Sequence, residues 1–328
     1  MVLALRFVFD LTTNLYNMIQ IGIAGANELS KKHIEKILEI NDFNLVGFYD
    51  HDEQSSNYIS NTFGLKKFDS YADLLANSQA IDILSPVGTH YKYALKAIES
   101  CRHVFIDKVL SENLEEAKEL ANLAFEANIQ LHVSRYERFH PNFQLLKKLL
   151  NNPLYIESFK FDPHIINLSP DNLVFDLLLN ELELVLNIVK ANVLKIRTTG
   201  ACMHSDVIDF INVRIEFDNG CVYNMVGGSF KSDQKNKIRF FQKNKTYGFD
   251  LSNFRISVLN SSEEINETQE EQILKNTGKN TNEMIKRELE HFAQNITYQS
   301  LRLRTYYDNY QAIEVAHQII ENLMKNKR

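Results

Sequence analysis

The stretch IGIAGANELSKKH, residues 21–33, carries the first part of a sequence motif that binds dinucleotides. That motif places three glycines in the order G-x-G-x-x-G on the turn between a strand and a helix, where backbone N–H groups attract phosphate. Gly25 takes the first position, whereas Asn27 and Ser30 stand at the second and third. The pattern predicts a nicotinamide-cofactor site in which Gly25 and Asn27 contact the cofactor, together with Gly22 of the preceding strand.

The two substitutions have different expected effects. The second glycine lets the backbone approach the diphosphate. Asparagine is one of the few other residues that tolerate a positive φ, but its side chain would crowd the phosphates or donate a hydrogen bond to them. Ser30 is small enough to be accepted where the helix packs on the strand. Gly25 would also serve a plain strand-to-helix turn, so the motif alone leaves both interpretations open.

An acidic residue follows at the spacing that dinucleotide sites use. The second apolar run ends in FYDHD, which places Asp50 25 residues after Gly25. A carboxylate there hydrogen-bonds the two hydroxyls of the adenosine ribose and repels a 2′-phosphate. No arginine lies nearby in the sequence to hold such a phosphate. Asp50 therefore favours NAD over NADP.

Strands and helices alternate from Met18 to about residue 140. The apolar runs that predict strands are residues 18–25, 43–50, 80–86, 102–107 and 129–136. The segments with helical spacing between them are residues 31–40, 71–77, 90–100 and 113–128. This alternation is typical of a doubly wound parallel sheet, so residues 18–140 are predicted to form an α/β domain that binds the dinucleotide.

After Pro141 the pattern changes to runs that alternate apolar and polar side chains. They surround one long apolar helix at residues 172–190, and FDNGC at 217–221 carries the Asn-Gly pair of a hairpin. Residues 141–328 are thus predicted to form an α/β domain with a large, mostly antiparallel open sheet, covered on one face by the helix. We interpret residues 1–17 as an N-terminal extension and the polar residues 262–283 as a mobile excursion.

The composition is that of a globular protein and excludes several classes of function. The 328 residues are 44% apolar and 24% charged, and the net charge is −6. Lys and Arg are spread along the whole length, which argues against a nucleic-acid partner. The three cysteines are far apart, and no metal-ligand spacing occurs. The first apolar stretch is too short to span a bilayer. We expect no metal, no membrane partner and a reducing, cytoplasmic location.

Four further motifs occur in the order of a known family. SPVGTH at 85–90, RHVFIDKV at 102–109, RYERFHP at 135–141 and VFDLLLNELELV at 174–185 stand where that family has T-P-N-x-x-H, G-K-H-V-x-x-E-K-P, R-F-x-P and V-x-D-x-x-x-H-D-x-D. Over nearly its whole length the chain therefore resembles the glucose–fructose oxidoreductase/inositol dehydrogenase family, known as Gfo/Idh/MocA.

The resemblance implies a Rossmann domain followed by an α/β domain whose open sheet often joins subunits, so a homodimer or homotetramer through the C-terminal sheet is expected. It also implies NAD(P)-linked hydride transfer between nicotinamide and a sugar, cyclitol or related polyol. Ser85, Pro86 and His90 are then expected at the cofactor. Lys108 is expected near the reacting hydroxyl, where its positive charge stabilises a developing alkoxide.

The long helix departs from the family pattern at one position. In the family, an aspartate and a histidine four residues apart face the cleft, and the histidine transfers the proton. Here the pair is Asp176 and Asn180, and an amide hydrogen-bonds a hydroxyl but does not exchange a proton at neutral pH. Glu181 and Glu183 replace the aspartates that usually follow, either as remnants of the pattern or as a nearby carboxylate.

Two hypotheses about function follow. The first is an NAD-dependent oxidoreductase of this family, in which Lys108 is the electrostatic anchor and Asp176 and Asn180 position the substrate. The second is a catalytically silent protein that binds NAD or a sugar on the same fold and acts in regulation or assembly. His90 and His164 are candidates to replace the missing histidine, although a structural role is commoner for such residues.

Overall fold

Five short strands near the N-terminus pair as one parallel sheet in the computed structural model. Their order across the sheet is β2-β1-β3-β4-β5, and every connection carries a helix, so the predicted doubly wound parallel sheet is confirmed. The strands are β1 (Ile19–Ala24), β2 (Phe43–Tyr49), β3 (Ala80–Ile83), β4 (His103–Ile106) and β5 (Leu131–Val133).

The structure describes residues 18–111, 113–165, 169, 173–204, 206–232, 236–260, 280–298 and 302–325. The predicted extension at 1–17 and residues 262–279 of the predicted polar excursion lie outside these ranges. The chain divides into two units. The first contains the described residues up to Tyr136 and residues 281–310, and the second contains residues 137–280 and those from Gln311 onward. The predicted boundary near residue 140 places residues 281–310 in the C-terminal domain, whereas the described residues of this range group with the first unit.

Helices connect the strands in both units. They are α1 (Glu28–Ile37), α2 (Glu53–Phe63), α3 (Tyr71–Ala76), α4 (His90–Glu99), α5 (Leu114–Glu126), α6 (Pro141–Leu149), α7 (Leu179–Val189), α8 (Thr281–Tyr298) and α9 (Arg302–Lys325). Within the described part of the chain, every helix is too short or too polar to cross a membrane.

The core of the first unit lies between the sheet and helices α1 and α8. Ile21, Phe48 and Phe105 of the sheet are fully buried, and Leu289 and Phe292 of α8 pack in the same cluster. Full burial of such a side chain is worth about 1.5–3 kcal/mol, so α8 stabilises this unit although it is remote in the sequence.

A buried carboxylate ties α8 to the end of β5. Glu288 is 0% exposed and accepts hydrogen bonds from His132 Nε2 at 2.9 Å, Ser134 Oγ at 2.8 Å and the N–H of Arg135. Burial alone would raise the pKa of Glu288, but these donors hold it below its ordinary value. The charged form of Glu288 is therefore the form that the fold stabilises.

The second unit is built on a seven-stranded sheet in the order β12-β11-β10-β6-β9-β8-β7. Only the β6–β9 pair is parallel among the paired strands described, so the predicted mostly antiparallel sheet is confirmed. Its strands are β6 (Tyr155–Phe161), β7 (Val193–Ala201), β8 (Phe210–Phe217), β9 (Val222–Gly228), β10 (Lys237–Gln242), β11 (Lys245–Asp250) and β12 (Arg255–Asn260).

The Asn-Gly pair makes the hairpin between β8 and β9. Gly220 has φ +83°, a value that glycine adopts without strain, and the N–H of Phe217 donates to the carbonyl of Cys221 at 2.9 Å. The Asn219 side chain accepts from the N–H of Cys221 at 3.0 Å. The predicted hairpin is therefore present at the predicted residues.

The long helix of the second unit begins as a π-helix over Leu173–Leu178 and continues as α7. It lies on the sheet at Gly227 of β9, where an added Cβ would be 2.7 Å from Leu178 and 2.8 Å from Leu177. The sequence predicts a single regular helix here. The observed π-helix widens the turn that carries Asp176, and such turns are frequent at functional sites.

We predict that Glu288→Gln lowers the free energy of unfolding at pH 7 by about 1–3 kcal/mol, because an amide pairs less well with three donors. Because the pKa of Glu288 is lowered on folding, its contribution is complete above the ordinary value of 4.5 and is lost as the pH falls through the lowered value. The difference between wild type and variant should therefore shrink below about pH 4.5 in urea unfolding measured across pH.

Glu283→Gln is the matched control on the same helix. Its carboxylate pairs with Arg287 at 2.9 Å in an exposed position, and such pairs contribute about 0–1 kcal/mol. Equal losses for the two variants would contradict an anchoring role of Glu288.

Candidate functional site

The turn after β1 touches the loop after β3. Gly25 has φ +122°, and its N–H donates to the carbonyl of Tyr49 at 2.9 Å. An added Cβ would lie 2.8 Å from the carbonyl carbon of Leu84 and 2.8 Å from the nitrogen of Ser85. Both atoms are backbone and cannot move aside as a flexible side chain would. Glycine is therefore required at position 25 by its backbone angle and by the close approach.

Asn27 and Ser30 stand at the positions of the remaining motif glycines, and their side chains form hydrogen bonds with the surrounding backbone. Asn27 Oδ1 accepts from the N–H groups of Leu29 at 2.9 Å and Ser30 at 3.0 Å, which caps α1. Asn27 Nδ2 donates to the carbonyl of Leu84 at 2.6 Å, and Ser30 Oγ donates to that of Gly25 at 2.9 Å. Asn27 does not use the positive φ that asparagine tolerates; its backbone is extended with φ −134°, as that of N-cap residues is.

Asp50 stands at the end of β2 with both carboxylate oxygens fixed by the backbone. Oδ2 accepts from the N–H of Ala26 at 2.6 Å, and Oδ1 accepts from that of Asp52 at 2.8 Å. Each oxygen of a carboxylate has two lone pairs, so Oδ2 can accept a further hydrogen bond, whereas Oδ1 also lies 3.2 Å from Nδ1 of the exposed His51 side chain. The arrangement fits the two hydroxyls of an adenosine ribose.

An open cleft of about 640 Å³ lies beside the start of α1. Its size falls in the range of small-molecule sites. Lys31 on its wall pairs with Glu28 and lies 4.0 Å from the centre of the Tyr58 ring. The cleft is lined by Ala26, Asn27, Glu28, Lys31, Gln54, Ser55, Tyr58 and Ile59. The residues present thus fit an NAD-type coenzyme on two grounds, the fixed carboxylate and the open space at a helix N-terminus.

Gly22 has a different setting from Gly25. It lies within β1, where an added Cβ would be 2.6 Å from Leu74 Cδ1 and 2.6 Å from Ser78 Oγ. The sequence pattern predicts Gly22 to be one of the cofactor-binding residues. In the structure this glycine lets the end of α3 pack closely on the sheet.

The loop after β3 contains Ser85 and Pro86, and His90 follows at the start of α4. Ser85 Oγ accepts from Thr89 Oγ1 at 2.8 Å, and Pro86 precedes a single 3₁₀ turn at Val87–Thr89. The His90 ring is buried, with Nε2 2.7 Å from the carbonyl oxygen of Ser85 and Nδ1 2.7 Å from that of Val109. Both ring nitrogens are used within the chain, so His90 supports two loops.

Lys108 follows β4 on the loop that His90 holds. It is exposed and has φ +51°, in the left-handed region that few residues other than glycine occupy. Its neighbour Val109 is buried, and the N–H of Asp107 donates to the carbonyl of Ile83 at 3.1 Å. The loop is thus fixed on both sides of the lysine, at the carboxyl edge of the sheet where α/β proteins bind ligands.

Asp176 and Asn180 lie in the second unit on the π-helix and on α7. Asp176 is exposed and Asn180 is half-buried, whereas Leu177 and Leu178 between them are buried against the sheet. Residues four apart on a helix share a side, so the two polar groups are available together. A carboxylate and an amide at this spacing can hydrogen-bond vicinal hydroxyls.

Glu181 and Glu183 are buried, at 1% and 3% exposed. Glu181 Oε1 lies 3.3 Å from Lys160 Nζ, and burial raises the pKa of Glu181 although the lysine opposes the shift. Lys160 is not among the residues predicted from the sequence. A signal was present, since alternation along β6 places Lys160 on the same face as the fully buried Ser158.

His164, the other candidate histidine, is at the surface, and so is His204. His164 is exposed, and its N–H donates to Asp162 Oδ1 at 2.9 Å. His204 is 64% exposed, and its ring lies 4.6 Å from that of Phe230. Neither makes a described contact with Asp176 or Asn180.

Comparison with known protein families supports the resemblance of the sequence motifs. Residues 19–135 match the family described as "Oxidoreductase family, NAD-binding Rossmann fold". The family resemblance of the sequence motifs is thereby confirmed.

Two proteins with similar sequences are named as dehydrogenases of a nucleotide sugar and of a sugar phosphate. The chain is 25% identical over 233 residues to the UDP-N-acetylglucosamine 3-dehydrogenase of Acidithiobacillus ferrooxidans. The aligned region covers 71% of this chain and 74% of that protein. It is 30% identical over 135 residues to the glucose-6-phosphate 3-dehydrogenase of Bacillus subtilis, with 41% of this chain and 39% of that protein covered.

Solved structures share the fold over almost the whole chain. A crystal structure of the Acidithiobacillus ferrooxidans dehydrogenase superposes with a TM-score of 0.80 at 22% identity, covering 95% of this chain and 99% of that one. The myo-inositol 2-dehydrogenase of Lactobacillus plantarum gives a TM-score of 0.73 at 14% identity, covering 94% and 98%. At this identity the likeness is one of fold.

We predict that Gly25→Ala lowers the free energy of unfolding by more than the roughly 1–3 kcal/mol of backbone strain alone, because its Cβ also meets backbone atoms. Gly64→Ala is the matched control, since Gly64 has φ +64° but no atom within 4 Å of an added Cβ. The control should lose about 1–2 kcal/mol in urea unfolding. If both variants lose the same amount, the close approach at Gly25 is not a constraint on stability.

Proposed function

We propose that this protein is an NAD-dependent oxidoreductase that transfers a hydride between nicotinamide and a sugar, cyclitol or related polyol. The observation that carries the proposal is the Asp50 carboxylate, which two backbone N–H groups hold at the end of β2 beside the Gly25 turn. The substrate class is supported by the relatives, whose names specify a nucleotide sugar, a sugar phosphate and an inositol.

The choice of NAD over NADP rests on charge. The Bacillus subtilis scyllo-inositol 2-dehydrogenase, 26% identical over 137 residues, uses NADP(+) by name, so the family includes both coenzymes. In this chain a 2′-phosphate would lie against the Asp50 carboxylate. Two like charges at about 4 Å repel by about 4 kcal/mol at the effective dielectric constant of a protein surface.

The roles of Lys108, Asp176 and Asn180 follow from the family pattern and from their chemistry. When bound, the nicotinamide supplies the hydride acceptor or donor. The Lys108 ammonium stabilises negative charge on the reacting oxygen, and its proton can pass to that oxygen in the reductive direction. Asp176 and Asn180 bind and orient hydroxyls, Asp176 through its carboxylate oxygens and Asn180 through its amide.

A homo-oligomer through the open face of the seven-stranded sheet is part of the proposal. Tyr155, Phe159 and Phe161 alternate with helix-facing residues along β6 and are half-buried in the single chain. Such aromatic side chains are enriched at protein interfaces. Sedimentation of the purified chain distinguishes a dimer or tetramer from the 38.1 kDa monomer. A cytoplasmic location likewise stays a prediction, which fractionation of cells tests.

We predict that calorimetric titration of the wild type gives a higher affinity for NADH than for NADPH. In Asp50→Asn the two affinities should be closer to each other. The variant should also weaken NADH binding about 10- to 100-fold, because a hydrogen bond to a charged group is worth about 1.5–3 kcal/mol. Asp52→Asn is the control, since Asp52 caps α2 through the N–H of Ser55 at 2.7 Å. Failure of the wild type to bind NADH at millimolar concentration would refute the oxidoreductase and leave the silent binding protein.

Restoring the motif histidine tests the catalytic helix. If proton transfer limits the rate, Asn180→His should raise turnover of NADH with a panel of sugars and cyclitols by about 10²-fold or more. Asn187→His is the control on the same helix, where Asn187 accepts from Lys147 Nζ at 2.7 Å. Unchanged turnover in Asn180→His would mean that the missing imidazole is not what limits the reaction.

A further inference from the structure

The Asn27 side chain occupies the backbone groups that a coenzyme diphosphate would use. The free N–H groups at a helix start are the part of a dinucleotide turn that binds phosphate oxygens. In this chain Asn27 Oδ1 takes two of them, at 2.9 Å from the nitrogen of Leu29 and 3.0 Å from that of Ser30. A neutral carbonyl oxygen therefore stands where a phosphate oxygen is expected.

We propose that Asn27 is an internal competitor of the coenzyme, whose side chain must leave the start of α1 before the diphosphate binds and which thereby sets coenzyme affinity. The inference rests on the proposed function, because it concerns the same coenzyme. It assigns to Asn27 a role in affinity that a glycine at this position cannot have, since glycine carries no side-chain acceptor.

The competitor is held by more than the helix cap. Asn27 Nδ2 donates to the carbonyl of Leu84 at 2.6 Å, and the N–H of Asn27 donates to Ser30 Oγ at 3.2 Å. Ser30 Oγ in turn donates to the carbonyl of Gly25 at 2.9 Å. Departure of the side chain therefore breaks its two bonds to amides and its bond to the neighbouring loop.

The side chain nevertheless has a route out. Asn27 is exposed, so its rotation disturbs no core packing. It already lines the open cleft of about 640 Å³ between the N-terminal parts of α1 and α2. The start of α1 can thus exchange one acceptor for another without unfolding the helix, which continues to Ile37.

Two substitutions distinguish the competition by Asn27 Oδ1 from any effect of the hydrogen bond between Asn27 Nδ2 and Leu84. Asn27→Gly removes the competing oxygen, and glycine is tolerated as an N-cap at little cost, so NADH binding should tighten by about 3- to 30-fold. Asn27→Asp retains an acceptor for the amides and adds a negative charge, so NADH binding should weaken by about 10-fold or more. Both variants lose the bond from Nδ2 to Leu84, so an effect of that tether would move both affinities in the same direction.

Asn113→Gly is the matched control. Asn113 caps α5 of the same unit in the same way, with Oδ1 2.9 Å from the nitrogen of Glu115 and 3.4 Å from that of Glu116. The substitution Asn113→Gly removes an asparagine cap of the same type, at a helix that does not follow the turn after β1. Its NADH affinity should equal that of the wild type, and thermal unfolding of all four proteins verifies that they are folded.

The decisive measurement is calorimetric titration of the four proteins with NADH and, separately, with inorganic pyrophosphate. Tighter NADH binding to Asn27→Gly together with weaker binding to Asn27→Asp supports the inference. Shifts in the same direction, or an unchanged affinity of Asn27→Gly, overturn it.

The pyrophosphate titration keeps this inference separate from the proposed function. If none of the four proteins binds NADH, the proposed function fails and the pyrophosphate titration alone decides the inference. Tighter pyrophosphate binding to Asn27→Gly than to the wild type supports competition at the start of α1, and equal binding overturns it.

Discussion

The contact between the turn after β1 and the loop after β3 is the constraint on which the candidate site depends. Backbone meets backbone there, because a Cβ on Gly25 would lie 2.8 Å from atoms of Leu84 and Ser85. The same contact sets where α1 begins, and the hydrogen bond from Ala26 then fixes the Asp50 carboxylate. The turn after β1 therefore contacts both the neighbouring loop and the acidic residue, and it leads into the helix start; the helix start and the acidic residue are the two groups that a dinucleotide site requires.

Two buried carboxylates, one in each unit, show how hydrogen-bond donors determine the direction in which the pKa of a buried acid shifts. Glu288 and Glu181 are both essentially inaccessible to solvent, so loss of hydration raises the pKa of each. Glu288 has three donors in the first unit, and its pKa is lowered. Glu181 faces the single ammonium group of Lys160, and its pKa is raised. The number of hydrogen bonds to the charged form, more than burial, separates the two.

The fold was predictable because its signals are local and repeated. Alternating apolar runs and helices predict the parallel sheet, and Asn219-Gly220 predicts the hairpin at the observed residues. The position of Asp50 follows from its spacing after Gly25. Such features depend on periodicity and turn chemistry, which the sequence contains.

The site was less predictable because its details depend on contacts between distant segments. The bond from Asn27 to Leu84 spans 57 residues, and the Lys160–Glu181 pair requires β6 to lie under α7. The π-helix at Leu173–Leu178 has no sequence signal that a regular helix lacks. Nor does the spacing of His90 indicate that both of its nitrogens are used by the backbone.

His90 has one further consequence for how the first unit works. Its ring bridges the carbonyl of Ser85, in the loop that touches Gly25, and the carbonyl of Val109, directly after Lys108. The loop that contacts Gly25 and the backbone that presents Lys108 are therefore joined through one buried ring at the carboxyl edge of the sheet.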